Sequence, residues 1–188
     1  MKQRQIVIRQ NKHSVQKASA PAPPFDLIDR KILSALRADG RLTVNELGHT
    51  VGLSQSACWT RLKRLESSGA IRRYAAILDH KAIGLANTVF IEVTLNKHDD
   101  KVLEEFGAAL ARVPEVIEAY LVSGDYDYLV KVAVSDTEHY ERFLRESLYK
   151  IPGIQHSRST FALRALKEGI SVDPLLLRGL PSCARHEG

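Results

Sequence analysis

Two sets of side chains in this sequence have types and spacing suited to chemistry. The first is Gln55, Ser56, Trp59, Thr60 and Lys63, which fall along one side of a predicted helix. Amide, hydroxyl, indole and ammonium groups can bond or stack against base edges and phosphates. The second is Ser123-Gly124-Asp125-Tyr126-Asp127. Gly124 lets the backbone approach a ligand closely, neighbouring amides can hold a carboxylate, and Asp125 or Asp127 can pair with an ammonium group. An α-amino acid carries both charges on adjacent atoms and would match such a loop. The same residues also read as an ordinary Gly-Asp hairpin turn. As a metal site the pair is weak, because Asp125 and Asp127 have no third ligand nearby.

The elements that must position the first set are helical. Ile28, Ile32 and Leu36 recur every fourth residue, with Leu33 and Ala35 beside them, and make one apolar stripe. Asp39-Gly40 is a stop signal, with Gly40 expected in the left-handed conformation. Thr43-Val44-Asn45-Glu46 is a capping box that opens a short helix, whose buried face is Leu47 and Val51 and which breaks at Gly52. Ser54 caps a third helix from Gln55 to about Ser67, with Cys58, Leu62 and Leu65 inward. The order is that of a helix-turn-helix, whose second helix enters the major groove. A helical hairpin inside another small α domain is the alternative. Ile71 to Leu78, carrying Arg72 and Arg73, looks extended and reads as a wing or a connecting strand.

The second set sits in a different pattern. Thr88 to Leu95 is β-rich, and His98-Asp99-Asp100 caps a helix through about Arg112 with Val102, Leu103, Phe106 and Leu110 inward. Val116 to Val122 and Tyr128 to Val134 are further strands. Thr137 caps a helix carrying Tyr140, Phe143, Leu144 and Leu148, which closes at Ile151-Pro152-Gly153. Ile154 to Leu166 is mostly extended. The order βαββαβ is the split ferredoxin-like plan. Its helices cover one sheet face, so the other is expected to pack on a second copy, giving a dimer.

The 188 residues divide accordingly into a basic, Pro-rich tail (1–24), a helix-turn-helix region with its linker strand (25–85), a second domain (86–167) and a C-terminal tail (168–188). In the C-terminal tail, Leu175-Leu176-Leu177 reads as a short helix. Residues 1–84 hold 15 basic and 6 acidic side chains, and residues 85–188 hold 12 and 16. A basic front on an acidic back suits a nucleic-acid-binding module joined to a unit with another task. Cys58 and Cys183 build no disulfide framework, and no apolar run is long enough to span a membrane, so a reducing cytoplasm is the expected compartment. The seven histidines are scattered, and no Ser/His/Asp set, P-loop or GxGxxG is present. No enzyme activity, catalytic residue, metal or cofactor is therefore expected.

Several separated motifs occur in a shared order. They are Asp29-Arg30-Lys31-Ile32-Leu33, Asp39-Gly40-Arg41, Val51-Gly52-Leu53-Ser54 and Arg61-Leu62-Lys63-Arg64-Leu65-Glu66 with Gly69-Ala70-Ile71. Leu121 to Leu129 and Ile151-Pro152-Gly153-Ile154 follow. Over roughly Phe25 to Lys167 the chain resembles the Lrp/AsnC (feast/famine) transcription regulators. The resemblance implies an α+β fold: a winged helix-turn-helix followed by a ferredoxin-like domain of the RAM type. It implies a DNA-binding regulator that controls amino-acid metabolism genes and forms dimers assembling to tetramers or octamers. It further implies an amino-acid effector, leucine being the type example, at Ser123, Gly124, Asp125, Tyr126 and Asp127. On this reading Gln55, Ser56, Trp59, Thr60 and Lys63 read bases, while Arg41, Arg64, Arg72 and Arg73 contact phosphates of double-stranded DNA. Gln55-Ser56-Ala57 departs from the Pro many members carry there. The rival readings are a nucleoid-type architectural DNA binder and a haem-biosynthesis decarboxylase on the same fold.

Overall fold

Asp26 sets the start of the first helix. Its carboxylate accepts the Asp29 amide at 2.8 Å, and the Asp29 carboxylate accepts the Asp26 amide at 3.1 Å. Two orphan donors are thereby satisfied reciprocally at the head of α1 (Leu27–Ala38). The computed structural model describes residues 25–97, 99–169 and 171–177. The proline-rich tail of residues 1–24, His98 as a cap and Cys183 all lie outside that range. The described chain forms two compact units, residues 25–75 with 169–177 and residues 76–168.

In the first unit, α1 is followed by α2 (Val44–Val51) and α3 (Gln55–Ser67). Thr43 and Glu46 form the expected capping box, and Ser54 accepts the Ala57 amide at the head of α3. Gly52 takes the left-handed conformation at φ 77°, which turns the chain sharply between α2 and α3. Gly40 does not. The chain leaves α1 through Asp39 in an extended conformation, with φ −141°, so no left-handed residue is needed there. The apolar stripes meet as predicted: Ile32, Leu47, Val51, Cys58, Leu62 and Leu65 make one core. Burial pushes the Cys58 thiol up, which leaves it protonated and inert. No strand forms between Ile71 and Leu78, because the run finds no ladder partner among the described residues.

The second unit carries β1 (Asn87–Leu95), α4 (Asp100–Leu110), β2 (Val116–Leu121), β3 (Tyr128–Val134), α5 (Thr137–Glu146) and β4 (Ile154–Phe161). The sheet order is β2-β3-β1-β4 with every neighbouring pair antiparallel, the split plan the sequence predicts. Asp136, not Thr137, caps α5: its carboxylate, three residues before His139, accepts the His139 amide at 2.7 Å, and Thr137 is already the first helical residue. Helix α4 stops before Arg112, and β2 stops at Leu121 because the Val122 amide turns back to the Asp127 carbonyl. Strand β4 ends at Phe161, and the residues to Leu166 make no ladder. Leu175 and Leu176 belong to a turn at Pro174–Leu176, and Leu175-Leu176-Leu177 is not a helix.

Val89, Ile91, Val93 and Leu95 alternate inward along β1 and share a core with Val130 and Val132 of β3, Phe106 and Leu110 of α4, and Tyr140 and Phe143 of α5. Both helices therefore cover one face. The other face is presented by the alternate residues, among them Phe90, Glu92, Tyr120, Leu129 and Lys131.

Candidate nucleic-acid interface and ligand loop

Helix α3 is fixed from behind by a charged joint. Asp29 is completely buried. Arg61 donates to its Oδ1 at 2.9 Å and to the Asp26 carboxylate at 2.6 Å, and Arg64 donates to Asp29 Oδ2. A buried carboxylate is tolerated only when such donors replace its lost water. Burial opposes ionisation of Asp26, but the Asp29 amide and the Arg61 guanidinium outweigh it and hold the carboxyl below its ordinary range. This joint sets how α3 is presented relative to α1.

The opposite side of α3 is open. Gln55, Ser56, Trp59, Thr60 and Lys63 are all exposed, as are Arg41, Arg72 and Arg73. The Lys63 ammonium lies 4.5 Å from the centre of the Trp59 ring and 2.9 Å from the Glu66 carboxylate. That ammonium holds the Glu66 carboxyl low, against burial and with help from Tyr74. Tyr74 donates to the other Glu66 oxygen at 3.1 Å, and burial with Glu66 pushes its phenol up to about 12. Glu66 thus links the segment after α3 back to the helix. The Thr60 hydroxyl donates to the Ser56 carbonyl at 3.0 Å.

In the second unit the Ser123–Asp127 loop is closed by the Val122 amide donating to the Asp127 carbonyl at 2.9 Å. It is fastened to the end of β1 by the Asp127 amide on Val93 and by the Leu95 amide on the Asp127 carboxylate at 2.7 Å. Gly124 sits at φ 138°, a conformation side chains resist, and none of the described residues fills the space its Cβ would occupy. Ser123, Gly124 and Asp125 are exposed and Tyr126 is half-buried. The amides of Gly124, Asp125 and Tyr126 take no hydrogen-bond acceptor among the described residues. On the other side of the β1 end, the Asn96 amide donates to the Gly153 carbonyl at 2.9 Å. There an open cleft of about 540 Å³ is lined by residues from Tyr149 to Ser157. Amides without an acceptor beside the exposed Asp125 can receive the carboxylate and ammonium of an amino acid.

The winged helix-turn-helix DNA-binding family matches residues 25–72, and the Lrp/AsnC ligand binding domain family matches residues 88–172. The leucine-responsive regulatory protein of Salmonella typhimurium is 39% identical over 154 residues, 82% of this chain and 94% of the relative. The chain belongs to the Lrp/AsnC family. The leucine-responsive regulatory protein of Escherichia coli K12 is 38% identical over the same shares. An AsnC family regulator of Agrobacterium tumefaciens is 37% identical, with a TM-score of 0.75 over 79% of this chain and 96% of that one. A transcriptional regulator of Neisseria meningitidis, solved as a complex with L-methionine, is 36% identical with a TM-score of 0.74 over the same shares.

This Lrp/AsnC chain is accordingly a DNA-binding transcriptional regulator with a ligand-binding domain, and these relatives are regulators, not enzymes. Among the described residues no group of three His, Cys, Asp or Glu side chains is placed to hold a metal ion, and no helix is long and apolar enough to cross a membrane. The structure brings the five proposed base readers onto one exposed face. It ties Arg64 to Asp29 while leaving about half of its side chain accessible, and it gives the Asp127 carboxylate a partner in the Leu95 amide. The Asp26-Asp29-Arg61-Arg64 joint, built around buried Asp29, escapes the sequence reading. Its signal is two acids three residues apart on one helix and two arginines three residues apart on another.

Proposed function

We propose that this regulator binds specific operator duplexes through α3 and changes its DNA binding or assembly when an amino acid occupies the Ser123–Asp127 loop. Gln55, Ser56, Trp59, Thr60 and Lys63 read bases, while Arg41, Arg72, Arg73 and the accessible part of Arg64 contact phosphates. The observation that carries this is the two-sided character of α3. One side is locked by buried Asp29, and the other presents Gln55, Ser56, Trp59, Thr60 and Lys63 exposed. Rigid support behind exposed contacts is what sequence readout requires, because a loose helix spends contact energy on ordering.

The effector half rests on the loop geometry and on the L-methionine complex of the Neisseria regulator. An aliphatic amino acid such as leucine or methionine is the proposed ligand, acting in the cytoplasm on genes of amino-acid metabolism. The uncovered sheet face supports a homodimer, which presents two α3 helices to half-sites about 34–36 Å apart. Dimers then assemble to tetramers or octamers.

The test combines three measurements on the full chain. Genomic fragments are captured in competition with scrambled duplex, amino acids are screened by thermal shift, and mass is read by light scattering. Enrichment of particular upstream fragments, together with a melting point raised by an aliphatic amino acid, supports the reading. No preference over scrambled duplex refutes it.

A further inference from the structure

Trp59 stands out among the proposed base readers of α3 because it is the one large apolar side chain in that set. The buried stripe is Cys58, Leu62 and Leu65, and Trp59 lies outside it with 49% of its surface exposed. Apart from the small Ala57, the remaining outward residues are polar. Leaving a large indole in water forgoes burial it would gain inside, so its position needs a use. The ring is also held in place. The Lys63 ammonium covers it at 4.5 Å and is itself fixed by Glu66.

The ring, Val44, Gln55 and Ser56 line a cleft of about 410 Å³ at the head of α3. Its apolar walls are Val44 and the indole, and the Gln55 amide and Ser56 hydroxyl supply its polar edge. Lys63 lies over the Trp59 ring with Glu66 as its counter-charge, and the N-terminus of α3 adds a partial positive charge at the cleft. The apolar walls beside these polar groups suit an apolar group projecting from the edge of a DNA base. Among base edges in the major groove, only thymine projects an apolar group, its 5-methyl. A glutamine beside it suits adenine, which accepts and donates to one amide at once.

We infer that the Val44–Trp59 cleft takes the 5-methyl group of a thymine, so that Trp59 is a specificity-determining residue for T in the operator. This rests on the proposed placement of α3 in the major groove. Stacking of Trp59 between bases does not fit, since Lys63 covers the ring.

The experiment first enriches duplexes from a random-sequence pool with the full-length protein. Each thymine of the winning duplex is then replaced by uracil, which deletes only the methyl. The wild type is expected to lose about fourfold in affinity at one thymine per half-site, the worth of one buried methyl. Two such replacements together give about fifteenfold. Trp59→Ala should bind thymine and uracil duplexes alike, and Trp59→Leu, which keeps an apolar wall, should still prefer thymine. If the wild type tolerates uracil at every position, or Trp59→Ala discriminates as the wild type does, the methyl assignment falls while DNA reading by α3 stands. If no sequence is enriched from the pool, the underlying reading of the regulator falls instead.

Discussion

Replacing Asp29 with Asn tests whether the buried joint is what positions the recognition helix. Asp29 is wholly inaccessible and receives three donors: Arg61, Arg64 and the Asp26 amide. Asparagine fits the same space but has one acceptor oxygen instead of two, and it turns an N–H group toward a guanidinium or an amide. Removing one partner of a buried ion pair costs about 3–5 kcal/mol. Here Arg61 keeps Asp26, and the arginine side chains are 31% and 51% exposed and can rehydrate. The expected loss is therefore about 2–4 kcal/mol, a large part of the ~5–15 kcal/mol that holds a small domain together. Urea unfolding followed by fluorescence of Trp59, the chain's single tryptophan, reads the helix directly. The midpoint should fall with an unchanged denaturant slope. Operator affinity should drop more than affinity for random duplex, since a mobile α3 loses readout before it loses phosphate attraction. A variant within about 0.5 kcal/mol of the wild type would refute the idea that this carboxylate is the joint.

Further outcomes follow from the other sites. Arg72→Ala and Arg73→Ala should each weaken binding to every duplex and reduce the salt slope by about 0.9, read from affinities across a salt series. Arg64→Ala should combine that slope change with a loss of stability, because it strips a donor from Asp29. Asp125→Ala should abolish the melting-point rise produced by an aliphatic amino acid while leaving the unliganded melting point in place. Asp127→Ala should lower the unliganded melting point as well, because the Leu95 amide loses its acceptor. The Asp173 carboxyl sits below its ordinary 3.8, chiefly through the Leu175 amide and then through Ser34 and Arg37. Its contribution is complete above that pH and fades as pH drops through the lower folded value. Hydrogen exchange around Ser34 and Arg37 should therefore accelerate in acid in the wild type, and Asp173→Asn should be fast at neutral pH too.

Periodicity made most of this molecule readable. The stripes Ile28-Ile32-Leu36 and Cys58-Leu62-Leu65 place the first core, and alternation along Val89 to Leu95 places the second. Capping chemistry located the starts of α2 and α3, since hydroxyl and carboxylate groups there act on amides only three residues away. What stayed hidden depends on distant partners. Gly40 looks like a left-handed stop, but the chain leaves α1 extended. Thr137 looks like a cap, but Asp136 stands at the three-residue spacing from His139 that a cap needs and takes the amide. The strand-like run after Ile71 has the composition for a ladder and no neighbour to pair with among the described residues. Arg64 reads as a free cation from its composition alone. Only the fold shows that it shares Asp29 with Arg61 across thirty-five residues of sequence.

The chain's return to α1 has a consequence for how the regulator is made. Ser34 donates to Asp173 at 3.0 Å and Arg37 to the Ser171 carbonyl at 3.0 Å, so the helix-turn-helix unit is stitched together from both sides of the sheet domain. During synthesis the front helices emerge long before the segment that fastens them, and the unit gains its last contacts only after the whole sensor has been translated. A DNA-binding fragment cut after Ala75 would lack that stitch. Comparing its grip on duplex with that of the intact protein would show how much the late-arriving segment steadies the early one.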